Sequence, residues 1–224
     1  MKKAFKVFRY QIYESLTAVA IFYLAVLFIA LFVTIWDGSS SSGFEFASAI
    51  FIFVVGLNSF KSSFRFMQFL GVTRKTFFLG TLLALLAIAA GMTVIDMVLG
   101  NLYAQVQPYS SLFAQAYVQK SIVAQFVWET ALLTMFAFVG FFITMLYYRS
   151  GKVLKIVISL APVYVSIILN LMPSLVIPLT QILGFLGGIR PGVGVWDNVL
   201  GMLVSILAST GLCFLLVRRA PIKR

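Results

Sequence analysis

Ionisable side chains are nearly absent from the long apolar stretches of this 224-residue chain, and Asp96 and Glu129 are the two that stand out there. A charge in hydrocarbon is costly and tends to mark an ion or proton pathway, which makes these two carboxylates the first candidates for chemistry. Both fall near the outer ends of their stretches, where a carboxylate can reach water, whereas a proton-coupled carrier more often holds its carboxylates nearer mid-membrane. The rest of the catalytic vocabulary is thin. The chain has no histidine, which removes His-based metal sites, Ser-His-Asp and Cys-His catalysis as templates. Its one Gly-Lys pair, Gly151-Lys152, is followed by Val153, so the phosphate-binding pattern G-x-x-x-x-G-K-[ST] is absent. The sequence therefore predicts a non-enzyme with no metal or cofactor of its own; if ATP drives it, another chain hydrolyses it. The single cysteine, Cys213, lies in the last apolar stretch and reads as a small core residue, with no disulfide framework within the chain.

A second candidate is the basic, aromatic segment FMQFLGVTRKTFFLG, residues 66–80. Its leading part, KSSFRFMQFL, places Lys61, Arg65 and Gln68 on one helical arc and Phe60, Phe64, Met67 and Leu70 elsewhere around the axis, which predicts a short amphipathic helix. Gly71 supplies the left-handed conformation that ends such a helix, and Thr73 is placed to cap the next one. Arg74 and Lys75 would then meet lipid headgroups.

These residues must be positioned by membrane helices, because 62% hydrophobic and 10% charged residues lie far from the roughly 45–50% and 25% of soluble domains. Apolar stretches predict six spans, at about 15–36, 44–60, 76–100, 128–148, 153–172 and 198–217, in one all-α transmembrane domain covering 1–224. The net charge of +11 would suggest nucleic acid in a soluble protein, but here the basic residues punctuate the spans, so no nucleic-acid partner is expected. Fifteen of the 17 Lys and Arg fall at the two termini and the two short loops after the second and fourth spans. Lys120 and Arg190 are the exceptions. The positive-inside rule then predicts a multi-pass protein with both termini in the cytoplasm. Before the first span, residues 1–14 carry Lys2, Lys3, Lys6 and Arg9 on one arc and Ala4, Phe5, Phe8 and Ile12 on another, as expected of a helix lying in the interface.

Two outer segments have distinct character. DGSSSSG, residues 37–43, is a flexible connector, whereas residues 173–197 are apolar yet broken by Pro173, Pro178, Gly184, Gly187, Gly188 and Pro191. Broken backbone at membrane depth survives only where protein or a water-filled cavity satisfies it, which predicts a re-entrant hairpin. Small and weakly polar residues recur at helical spacing: Gly80, Ala84, Ala87 and Gly91; Thr130, Thr134, Ala137 and Thr144; Ser159, Ser166 and Asn170; Gly201, Ser205 and Ala208. Such stripes serve close helix packing or line a pathway. Pro162 would kink the fifth span, and Trp36, Trp128 and Trp196 fall at expected outer boundaries as interfacial anchors.

The order of basic N-terminal helix, six spans, the segment after the second span and a broken hairpin before the last resembles the permease subunits of type V ABC exporters, the ABC type-2 transmembrane family. Leu70-Gly71-Val72-Thr73-Arg74-Lys75-Thr76-Phe77-Phe78 is similar to a run common in small bacterial members. The resemblance implies a subunit of the bacterial cytoplasmic membrane that pairs with a second permease, identical or homologous, and with ATP-binding subunits holding ATP and Mg. It further implies that residues 61–75 form a coupling helix docking on the ATP-binding subunit, with Phe64, Phe66, Met67, Phe69 and Leu70 as the apolar surface. Gly71, Thr73, Arg74 and Lys75 would set the turn and the polar contacts. A hydrophobic or amphipathic substrate, such as a peptide, lipid or toxin-like molecule, would leave through the bundle. Two other classes stay open on the sequence: a non-transporting membrane sensor or anchor, and an ATP-independent channel or carrier in which Asp96 and Glu129 matter.

Overall fold

The computed structural model describes residues 2–36, 44–106, 109–117, 121–151, 154–157, 159–160, 181, 184–188 and 193–218. Its elements are α1 (Lys2–Trp36), α2 (Phe44–Asn58), α3 (Lys61–Phe69), α4 (Arg74–Tyr103), α5 (Leu112–Ala116), α6 (Ile122–Arg149) and α7 (Val195–Arg218). The chain is an all-α membrane protein. Four helical stretches, Lys3–Phe32, Arg74–Tyr103, Ile122–Arg149 and Val195–Val217, are long and apolar enough to cross a bilayer. α2 is apolar but has only 15 residues, which rise about 22 Å against a hydrocarbon core of roughly 30 Å. The expected fifth span, 153–172, is described only at 154–157 and 159–160; Pro162, Ser166 and Asn170 lie outside the described residues, and Ser159 is exposed. The connector 37–43, Lys120, Arg190 and most of the 173–197 hairpin also lie outside them.

Helix ends follow local chemistry. α1 contains neither Gly nor Pro in its 35 residues, so nothing in the backbone separates the basic 1–14 stretch from the apolar one, and the two form a single helix. α6 begins at Ile122, six residues ahead of the expected span, because the Ser121 hydroxyl accepts from the Ala124 N–H at 3.4 Å and caps it there. That early start carries Trp128 into the bundle. Expected at an interface, Trp128 is instead buried, with its ring against Phe113 and Tyr117 and its Nε1 donating to the Gly188 carbonyl at 3.1 Å.

Glycines set how closely the helices pack. α1 and α4 run side by side in the same direction, Gly80 lying against Val7 and the Ala4 carbonyl, and Gln11 Nε2 donating to Thr81 Oγ1 at 3.0 Å. α2 and α6 likewise pair along a seam in which Gly56 meets the Ala137 backbone and Gly140 meets the Phe53 backbone. A side chain at either glycine would strike a carbonyl, so the seam depends on having none there. Thr144 Oγ1 closes it, donating to the Leu57 carbonyl at 2.6 Å. The shared core runs through Ile52, Phe60, Phe77, Leu85, Met92, Leu133 and Phe141, and α7 adds Cys213 and Val217. The N-termini of α1 and α4 and the C-termini of α6 and α7 thus share one end, the basic end.

Candidate functional site

At the far end from the basic residues, three helices each bring a carboxylate into one polar pocket. Glu45 comes from the first turn of α2, Asp96 from the last third of α4 and Glu129 from the second turn of α6. They are 3%, 3% and 1% exposed. Asp96 Oδ1 accepts from Tyr23 Oη of α1 and from Ser48 Oγ of α2, each at 2.9 Å. The Tyr23 hydroxyl also lies 3.0 Å from the Met92 carbonyl. Asp96 and Glu129 face each other within hydrogen-bonding reach. Nearby, Thr130 Oγ1 of α6 donates to Thr93 Oγ1 of α4 at 3.3 Å, a further polar link between the same two helices.

The pocket is completed by Tyr109, which lies so close over Gly100 that any side chain there would meet its ring. Phe44 stacks on that ring at 5.3 Å and Tyr103 meets it edge-on at 6.0 Å, which turns the hydroxyl toward Glu45. Burial first, and then the charge of Glu45, push the Tyr109 phenol above its usual range, so it stays a neutral donor. A cavity of about 150 Å³ adjoins the cluster, lined by Glu45, Asp96, Asn101, Tyr109, Ser111 and Gln125 among others. Among the described residues, the charged groups that bear on Asp96 and Glu129 are each other and Glu45. The pocket is therefore acidic on every described side that carries charge, and chemically it suits a cation.

The basic end holds the second candidate. α3 is fixed to the bundle by one face: Phe64 stacks on Phe60 at 4.8 Å and meets Phe77 edge-on at 5.2 Å, and Met67 is buried beside them. The opposite side presents Phe66, Phe69 and Leu70, with Phe69 90% exposed. Gly71 ends the helix at φ 70°, and the Thr73 hydroxyl caps α4 by accepting from the Thr76 N–H at 3.3 Å. Lys75 is exposed and Arg74 half-buried. The N-terminal part of α1 lies alongside. Lys3 Nζ donates to the Gly71 carbonyl at 3.4 Å, Tyr10 stacks on Phe66 at 5.3 Å, and Ser63 Oγ donates to Glu14 at 3.0 Å. Lys6 and Arg9 stay exposed, Arg9 lying over the Tyr13 ring at 5.4 Å. Of the nine residues expected in the coupling segment, Phe64 and Met67 therefore face inward and serve as anchors, while Phe66, Phe69 and Leu70 form an outward patch.

No family model, curated protein or solved structure matches the chain.

Sequence reasoning finds Asp96 and Glu129 but expects them to reach water, and it passes over Glu45, Tyr23, Ser48 and Tyr109 altogether. Glu45 comes two residues after the stretch DGSSSSG and reads as an ordinary first-turn acid. Tyr23 and Ser48 sit in apolar runs where a lone hydroxyl carries no pattern. One signal was present: a Tyr within an apolar span must find a hydrogen-bond partner when buried, and a carboxylate on another helix is the strongest acceptor on offer.

Proposed function

We propose that the chain is the membrane-spanning permease subunit of a bacterial ABC exporter, moving a hydrophobic or amphipathic molecule outward with ATP hydrolysed, with Mg, by a separate subunit. The observation that carries this reading is α3. A short helix, locked to the bundle by buried aromatics on one side, holds Phe69 almost wholly exposed on the other, beside a basic turn tied to α1 through Lys3 and Gly71. A large aromatic held out rigidly beyond the helix ends suits a hydrophobic groove on a partner protein. In this reading the basic end faces the cytoplasm, following the positive-inside rule, and a second permease, identical or homologous, completes the translocation path through the six-span bundle. Purification from native membranes in a mild detergent tests it: a chain bearing a phosphate-binding loop should co-elute, and its ATPase activity should respond to Phe69→Ala. Recovery of the intact permease with no ATP-binding chain would overturn the reading.

The acidic pocket favours a second reading, an ATP-independent carrier. In that case Asp96→Asn would abolish transport in vesicles while ATP made no difference to it.

A further inference from the structure

The far-end pocket contains a pair of buried oxygens that the packing of α4 against α6 does not explain. Asp96 Oδ2 and Glu129 Oε1 have no hydrogen-bond donor, although the two carboxyl groups lie within reach of each other. Oδ1 of the same Asp96 is served by Tyr23 and Ser48, whereas its Oδ2, like Glu45 Oε2 and Tyr109 Oη in the same pocket, has no partner. Two ionised carboxylates in contact, away from water, repel strongly and offer each other only lone pairs. A positive charge held between them would relieve that repulsion.

Its source can be narrowed by what faces the pair from each packed element. α1 contributes Tyr23, α2 contributes Glu45 and Ser48, and the segment before α5 contributes Tyr109, all neutral or acidic. α7 carries Asp197 in its first turn, and that side chain is exposed. Among the described residues, no three of Asp, Glu, Cys or His are placed to hold a metal ion. Among the described residues no basic side chain bears on the pair, and a proton is the one cation that needs no further ligands. If Glu129 keeps its proton and donates it to Asp96, one proton turns the contact between the two carboxyl groups from a repulsion into a hydrogen bond. We propose that Asp96 and Glu129 form a proton-binding site in which a single shared proton bridges α4 and α6, exchanging with the far-end solution through the cavity lined by Glu45, Asp96 and Tyr109.

This site stands whichever reading of the function holds. Loss of the proton would place two anions against each other and part α4 from α6 at that end, so proton occupancy sets how tightly the pocket closes.

The test uses the full chain in lipid nanodiscs. Infrared spectroscopy at neutral pH should show the carbonyl stretch of a protonated carboxylic acid, shifting in deuterated water and absent in Glu129→Gln. In that variant the introduced amide can donate to Asp96 in the proton's place, so it should remain folded and its thermal stability should lose the alkaline decline of the wild type. If the wild type shows no protonated carboxyl band at neutral pH, or if its alkaline stability is restored by sodium or calcium rather than by lowering the pH, the proposal is wrong. An alkaline decline as steep in Glu129→Gln as in the wild type would also overturn it.

Discussion

Phe64 and Phe69 lie five residues apart on the same short helix, yet the structure gives them opposite tasks, and replacing each by alanine separates those tasks. Phe64 is 1% exposed and packs on Phe60, Phe77 and Tyr148. Truncating a buried Phe to Ala costs about 3–5 kcal/mol where the cavity cannot collapse. Here three aromatic neighbours, held by the turn between α2 and α3, by α4 and by α6, limit collapse, and each ring pair lost adds about 0.5–1.5 kcal/mol of specific geometry. We therefore expect Phe64→Ala near the middle of that range, roughly 4 kcal/mol, enough to free α3 from the bundle. Phe69 is 90% exposed, and removing its ring should change stability by no more than about 0.5 kcal/mol. Equilibrium unfolding in mixed micelles reads both values. Recovery of the ATP-binding partner should fail for both variants, but for Phe69→Ala it should fail with the fold intact. Equal destabilisation by the two substitutions would refute the placement of α3.

Three further outcomes follow from the geometry. Tyr23→Phe removes one of two donors to Asp96 Oδ1; because hydrogen bonds between membrane helices average about 0.6 kcal/mol and reach about 1.7, unfolding should show a loss of about 0.6–1.7 kcal/mol, with Ser48 limiting the damage. Gly140→Leu drives a side chain into the Phe53 backbone and should cost more than about 3 kcal/mol, the upper end of ordinary overpacking, because the obstacle is a helix backbone; disulfide trapping between α2 and α6 would report the separated seam. Thr73→Ala deletes the α4 cap, for about 1 kcal/mol, and hydrogen exchange should rise in the first turn of α4 while α6 stays protected.

Much of the basic end was legible because its chemistry is local. Gly71, Thr73 and the amphipathic spacing of residues 61–70 act within a few positions of one another, and the structure holds Gly71 at positive φ and Thr73 at the cap. Helix starts were less legible. The change from charged to apolar residues near Ser15 marks a change of environment rather than a change of element, because the backbone of α1 has no residue able to break it there. The acidic pocket was legible only in part because it is tertiary. Residues 23, 48, 96 and 129 come from four helices, and the parallel pairing of α1 with α4, which brings Tyr23 to Asp96, rests on a glycine contact at Gly80 that spacing alone cannot assign to a partner.

The most direct measurement is a site-specific crosslink in living cells. A photoreactive amino acid at position 69, on the full chain in its own membrane, should capture a protein that carries a phosphate-binding loop, and capture should weaken when Phe66 or Leu70 is made polar. If position 69 crosslinks only to lipid or to other copies of this chain, while the protein is folded and inserted, the account of α3 as the docking element for an ATP-binding subunit is contradicted.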